Sequence, residues 1–275
     1  MKKTLIFILV LIMHKGLFAQ IINGKDPMLD TLFKHSIKSL DEFIARFNGT
    51  ENNPNISKEE KEYRENNILA LFNKEWIMKI QEKEGEKNQT FNDISEFIKT
   101  VCNTKQQLSA DDSLFFAEAQ LKVKYQNKEK LLNIILKMED TGGHIYRWSI
   151  CGVNGLIENQ MLDTVINTGI RPIDHEMNFM QLRGILANAN NNMTNYRSQG
   201  TDIDPLSYFF ALVKAKQIQF VQCNAVVYHF FNVKGYYFKV EKFNRQDYNS
   251  GWLVSDFKKI TEKEKINYLT KIFDK

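Results

Sequence analysis

Apolar residues recur along this chain at two spacings, and each predicts a different kind of element. Between Leu29 and Asn48 the positions Leu29, Leu32, Phe33, Ile37, Leu40, Phe43, Ile44 and Phe47 stand three or four apart. That rhythm predicts an amphipathic helix, stopped by Asn48-Gly49. Thr50 to Ser57 is a polar turn containing Pro54, and a second helix is predicted from Lys58 to about Ile80. Its buried face would be Tyr63, Ile68, Leu71, Phe72, Trp76 and Ile77. Beyond a charged loop from Glu82 to Thr90, Asp93 suits the N-cap of a short helix bearing Ile94, Phe97, Ile98 and Val101.

After Ser109 the period falls to two. Phe115, Ala117, Ala119, Leu121, Val123 and Tyr125 alternate with Phe116, Glu118, Gln120, Lys122 and Lys124, which predicts a long half-buried strand. A second strand follows from about Leu131 to Glu139, then the turn Asp140-Thr141-Gly142-Gly143, then a third strand from His144 to about Val153. Residues 154–172 carry a weak pattern and read as a bridge ending at Arg171-Pro172. The order then repeats. A helix is predicted from Ile173 to Ala187, and a second opens at Asp204-Pro205, where proline's missing N–H costs little. Three strands follow, Gln217 to Phe231, Tyr236 to Arg245 and Gly251 to Lys259.

The repetition extends to single residues. Phe116, Val123 and Tyr125 have counterparts 104 positions later in Phe220, Val227 and His229, and the last strand of each half carries a tryptophan, Trp148 or Trp252. The expected fold class is therefore α+β, in two halves, 20–153 and 173–275. Each half has helices followed by a curved antiparallel sheet of three or more strands. A terminal strand of the form Gly-Trp-Leu-Val-Ser-Asp-Phe, here Gly251 to Phe257 with Arg147-Trp148-Ser149-Ile150 as its counterpart, resembles the NTF2-like (cystatin-like) superfamily. The chain also resembles exported bacterial proteins of unknown function that carry such domains in tandem. The resemblance implies a sheet wrapped around helices to form a cone with a pocket. Members include isomerases, dehydratases, hydrolases and catalytically silent binding domains, so fold analogy alone does not choose a role.

The first nineteen residues change the picture. Met1-Lys2-Lys3, the apolar run Leu5 to Met13 and the small residue Ala19 make residues 1–19 a secretory signal peptide, with cleavage expected before Gln20. The run is too short to span a membrane. Its removal takes Lys2, Lys3 and Lys15, lowering the basic residues from 37 to 34 against 33 acidic ones, so the mature chain is almost neutral. Lysine and glutamate alternate, as in Lys58-Glu59-Glu60-Lys61-Glu62, rather than forming the basic stripe that nucleic acid requires. The expected location is the periplasm or the exterior. Cys102, Cys151 and Cys223 lack metal-ligand or redox spacing. They read as buried thiols, or as one bridged pair and a leftover.

Chemistry-bearing residues are sparse. His175-Glu176 begins like a zinc-protease helix, but Phe179 stands where the second histidine belongs. No metal site and no cofactor is expected. Asp30-Thr31-Leu32, Asp112-Ser113-Leu114 and Asp163-Thr164-Val165 look like acceptor tripeptides for periplasmic O-glycosylation. His229 falls in phase with Val221, Cys223, Ala225 and Val227, the face expected toward the helices. It is either a core-edge histidine held by one hydrogen bond or a general base, with Tyr208 and Tyr237 as donors. Counting by two sets Glu241 on the opposite face. Phe220, Val226, Tyr228 and Phe230 form a second apolar face on the same strand, so something should cover it: the first half, residues 154–174, or a second copy in a homodimer through the second sheet. The expected function is non-catalytic binding of a small ligand or envelope protein by the pocket or sheet face. The alternative is an enzyme with its pocket around His229.

Overall fold

The computed structural model describes residues 36–51, 63–84, 89–109, 114–142, 145–156, 204–246 and 249–273. The signal-peptide residues, the 154–172 bridge past Leu156, the helix expected at 173–187, His35, His144, His175 and the three acceptor aspartates lie outside them. Six helices and seven strands are seen. A two-residue strand β1 (Ser36–Ile37) precedes helices α1 (Leu40–Asn48), α2 (Tyr63–Ala70), α3 (Lys74–Glu84) and α4 (Gln89–Asn103). Strands β2 (Phe115–Tyr125), β3 (Lys128–Asp140) and β4 (Tyr146–Asn154) follow. Then come α5 (Pro205–Lys214), β5 (Ile218–Phe230), β6 (Tyr236–Phe243), β7 (Ser250–Lys259) and α6 (Glu262–Phe273). The fold class is α+β. The strand order is β1-β7-β6-β5-β2-β3-β4, so two three-stranded meanders enter the order through their first strands.

The helix ends follow local chemistry. The Ser39 hydroxyl accepts from the Glu42 N–H at the start of α1, and Gly49 ends it in a left-handed conformation. Of the helix expected over 29–48, the described residues 36–39 are not helical and α1 starts at Leu40, because Ser36 and Ile37 pair in parallel with Ser250 and Gly251 of β7. The single helix expected over 58–80 is broken as well. At Leu71-Phe72-Asn73 the backbone docks on β7: the Asn73 N–H donates to the Val254 carbonyl (2.9 Å), and the Val254 N–H donates to the Leu71 carbonyl (2.8 Å). Asp93 does not cap α4, which begins four residues earlier. It accepts instead from the Gln89 side chain at 3.0 Å. Asp204 does cap α5, accepting from the Leu206 and Ser207 N–H groups, with Pro205 in the first turn.

The chain divides into two compact units. The first draws its described residues from 1–119, 135–150 and 225–272, the second from 120–134, 151–224 and 273–275. In the first unit an aromatic core joins the N-terminal helices to β6 and β7. The Phe97 ring lies 5.1 Å from both Tyr236 and Phe257 and 5.8 Å from Phe238. Phe230 stacks on Phe238 at 4.9 Å and on Phe115 at 4.7 Å, and reaches Phe43 of α1 at 6.0 Å. The side of β5 facing the helices therefore carries Tyr228 and Phe230, not the odd positions expected. At the C-terminal end of β5 the odd side is buried too, because α6 covers it: Tyr268 lies 4.4 Å from Tyr237 and 5.6 Å from Phe231 between ring centroids. In the second unit, Phe209 of α5 packs edge-on against Phe220 of β5 at 6.3 Å.

Candidate functional site

Four polar side chains meet beneath α6 in the first unit. His229 is the last residue but one of β5 and is only 2 % exposed. Its Nδ1 lies 3.2 Å from the Tyr237 hydroxyl and its Nε2 3.2 Å from Glu118 Oε2 on β2. The Tyr237 hydroxyl bonds in turn to that of Tyr268. A carboxylate, an imidazole and two phenols thus form a chain in which the imidazole always donates to Glu118, while the two links through Tyr237 can run in either direction. With Nε2–H donating to Glu118, Nδ1 accepts from Tyr237, whose oxygen then accepts from Tyr268. With both ring nitrogens protonated, Nδ1–H donates to the Tyr237 oxygen and Tyr237 donates to Tyr268. Buried polar groups are tolerated when so connected.

Of the residues singled out in the sequence, the structure brings His229 and Tyr237 together. Tyr208 lies in the second unit, where its hydroxyl is 3.3 Å from that of Tyr125. That hydrogen bond, with burial, pushes the Tyr208 phenol up to about 12. The strand-parity argument against Glu241 fails on register. His229 pairs with Lys239 and Val227 with Glu241, so Glu241 shares the face of His229, although the histidine's bonded carboxylate is Glu118. Arg245 works elsewhere, holding Glu75 at 2.9 Å, the Asn249 carbonyl at 2.6 Å and Asn73 Oδ1 at 3.0 Å. Two members of the buried chain escaped the sequence reading. Glu118 stood on a face read as solvated, and Tyr268 lies on a helix that was not predicted. The signal for that helix was present: Thr261 and Glu264 form a reciprocal capping box at its start.

The residues expected to bind a partner separate. Phe230 is wholly buried, Val226 and Tyr228 are half-buried, and Phe220 is 53 % exposed. Around Phe220 the second unit also exposes Tyr208, Phe210 and Val221. None of the three cysteines is in a disulfide, and Cys223 is exposed rather than buried. Burial raises the Cys102 thiol above its ordinary value. Among the described residues no group of three or more His, Cys, Asp or Glu is placed to hold a metal ion. No described helix is long and apolar enough to cross a membrane.

The chain matches no known family, no curated protein and no solved structure. The site must be read from its own chemistry.

Tyr237 makes that chemistry measurable. Burial first, and then the Tyr268 hydroxyl, raise its phenol well above the ordinary tyrosine range. An unfolded tyrosine ionises near pH 10. Above that pH the unfolded chain loses a proton that the folded chain keeps, so stability falls as the pH rises. Below pH 10 this group leaves stability unchanged. Urea midpoints should therefore decline between pH 10 and 11.5, and Tyr237→Phe should decline less steeply while being less stable at pH 7. That second loss comes from leaving His229 Nδ1 without its partner, a cost of about 1–3 kcal/mol.

Proposed function

We propose that this is an exported, non-catalytic protein of the bacterial cell envelope, mature from Gln20, that binds an apolar partner surface through α5 and β5 of its second unit. The observation that carries this reading is the aromatic strip around Phe209. Phe209 is buried and fixed, while its neighbours Phe210 and Phe220, 5.6 and 6.3 Å away, are 47 % and 53 % exposed. Rigid aromatic side chains on a folded element, open to water, are the usual anchors of interfaces. The competing enzymatic reading needs a ring nitrogen of His229 turned toward a substrate. Both nitrogens are engaged within a buried chain of hydrogen bonds, which favours a structural role for that histidine.

The order of elements is compatible with a tandem NTF2-like origin. A helix and three strands occur twice, and the third residue of the third strand is a tryptophan in both. Trp148 and Trp252 each approach Tyr228, at 6.3 and 4.9 Å. Gln120 and Asn224, 104 positions apart, hydrogen-bond at 3.5 Å.

Photocrosslinking tests the binding proposal. A benzoylphenylalanine replacing Phe220 should give a discrete adduct in cells that export the protein, and deleting residues 2–19 should abolish it. The same probe at Ile266, an exposed apolar residue on α6, should give none. Equal labelling at both positions, or none at Phe220, would remove the case for this surface.

A further inference from the structure

We propose that the cleft between the β2–β3 turn and the α5–β5 connection, in the second unit, is a binding site for a small sugar acid: a polyhydroxylated ring bearing a carboxylate. The cleft is open to solvent, holds about 400 Å³ and is lined, among the described residues, by the exposed Lys124, Gln126, Asn127, Lys216, Gln217 and Gln219. That volume lies within the range of small-molecule sites. The chemistry of the lining is specific. It offers two ammonium groups, four carboxamides and no carboxylate.

Each carboxamide carries an acceptor oxygen and two donor hydrogens, whereas an ammonium group only donates. Hydroxyl groups on a sugar ring both give and accept hydrogen bonds, so they can use both ends of an amide. An inorganic anion is chiefly an acceptor, and would use the amide N–H groups while leaving the four amide oxygens without a donor. The two lysines then account for one carboxylate on the ligand. Glu129, at the start of β3, is hydrogen-bonded to Lys122 at 2.8 Å and reaches Lys124 only through its charge. Lys130, whose Nζ lies 5.9 Å above the Tyr125 ring, adds to the positive field of the same turn.

The backbone supplies an independent argument. Gln126, Asn127 and Lys216 have φ of 51°, 61° and 57°, and they are three of the five non-glycine residues with positive φ among those described. Glycine adopts this conformation without strain, and asparagine is the best tolerated of the rest. The chain instead keeps amide and ammonium side chains at all three places, and all three line one cleft. Gln126 and Asn127 are the two turn residues between β2 and β3, and Lys216 follows the C-cap of α5, places where the backbone itself calls for positive φ. What the chain adds is a polar side chain at each, where glycine would serve. Gln126 is also oriented, since its Nε2 donates to the Tyr125 hydroxyl at 3.2 Å, which in turn lies 3.3 Å from that of Tyr208.

The site shares neither its lining nor its ligand chemistry with the aromatic strip around Phe209, so the two proposals stand or fall separately. Isothermal titration of the protein with glucuronate, glucose and inorganic phosphate decides this one. Glucuronate should bind saturably with a Kd of about 1 mM or tighter, glucose at least tenfold more weakly, and phosphate without saturation. Lys124→Ala with Lys216→Ala should weaken glucuronate at least tenfold and leave thermal unfolding unchanged. Gln126→Gly with Asn127→Gly should weaken binding while holding or raising the unfolding temperature, a combination that a purely structural turn would not give. Absence of saturable glucuronate binding, phosphate binding as tightly as glucuronate, or variants that bind like the parent would overturn the assignment.

Discussion

Replacing Phe230 by aspartate is expected to unfold the protein at room temperature. The Phe230 ring is fully buried in the first unit, stacked on Phe115 and Phe238 and packed against Phe43. Losing such a ring costs about 3–5 kcal/mol as a cavity alone. An aspartate would then have to be held neutral, or be buried as an unpaired charge at a further cost of several kcal/mol. Domains have only about 5–15 kcal/mol to lose, so circular dichroism should show no cooperative thermal transition, or one at greatly reduced temperature. Two controls separate burial from charge. Lys124→Asp, on an exposed position, should shift stability by no more than about 0.5 kcal/mol. Phe220→Asp, on the same strand and the same face by alternation, should leave a folded protein.

Gly251→Ala should have the next largest effect. Gly251 has φ of +88°, and a Cβ there would lie 1.9 Å from the Ile37 carbonyl oxygen and 2.5 Å from its carbon. Both are backbone atoms, so no rotamer change relieves the clash. The register Ile37↔Gly251 must break, and Ile37, itself only 1 % exposed, must leave the core. Exposing that side chain costs about 1.5–3 kcal/mol, and any alanine that stays in the left-handed region adds about 1–2 kcal/mol. An unfolding free energy lowered by about 2.5–5 kcal/mol in denaturant titration, with faster amide exchange at Ile37, is the expected result. Gly235→Ala makes the comparison: its φ is also positive, at +83°, but nothing lies within 4 Å of the added carbon.

Local chemistry explains which parts of this architecture could be read in advance. The bounds of the alternation, Phe115 to Tyr125, matched those of β2, and Asp204-Pro205 gave the start of α5, because both signals lie within the element they specify. The break at Leu71–Asn73 was illegible, since its cause is the edge of β7, some 180 residues away. The face of β5 was misassigned for a related reason. Both of its sides are apolar at the C-terminal end, and only knowledge of α6 shows that each side has its own cover. Within the candidate sites, His229 and Tyr237 could be found by type and strand position. Glu118 could not, because its hydrogen bond to His229 depends on β2 lying beside β5. The cleft of Lys124, Gln126 and Lys216 joins two turns that look merely polar in sequence.

The core of the first unit is assembled from stretches made at very different times. Its helices α1 to α4 are complete by Asn103, and Phe97 can already meet Phe47 and Phe72, yet its contacts with Tyr236, Phe238 and Phe257, and that of Phe43 with Phe230, wait for the later strands. A ribosome adding about 5–20 residues per second takes roughly six to thirty seconds to bridge that gap. Throughout that interval four helices stand with bare apolar stripes and no sheet to receive them. Such a nascent chain is vulnerable to self-association and is a natural client for holdase chaperones. Its yield in a heterologous host should respond more to chaperone supply and translation speed than the equilibrium stability of the finished fold would suggest.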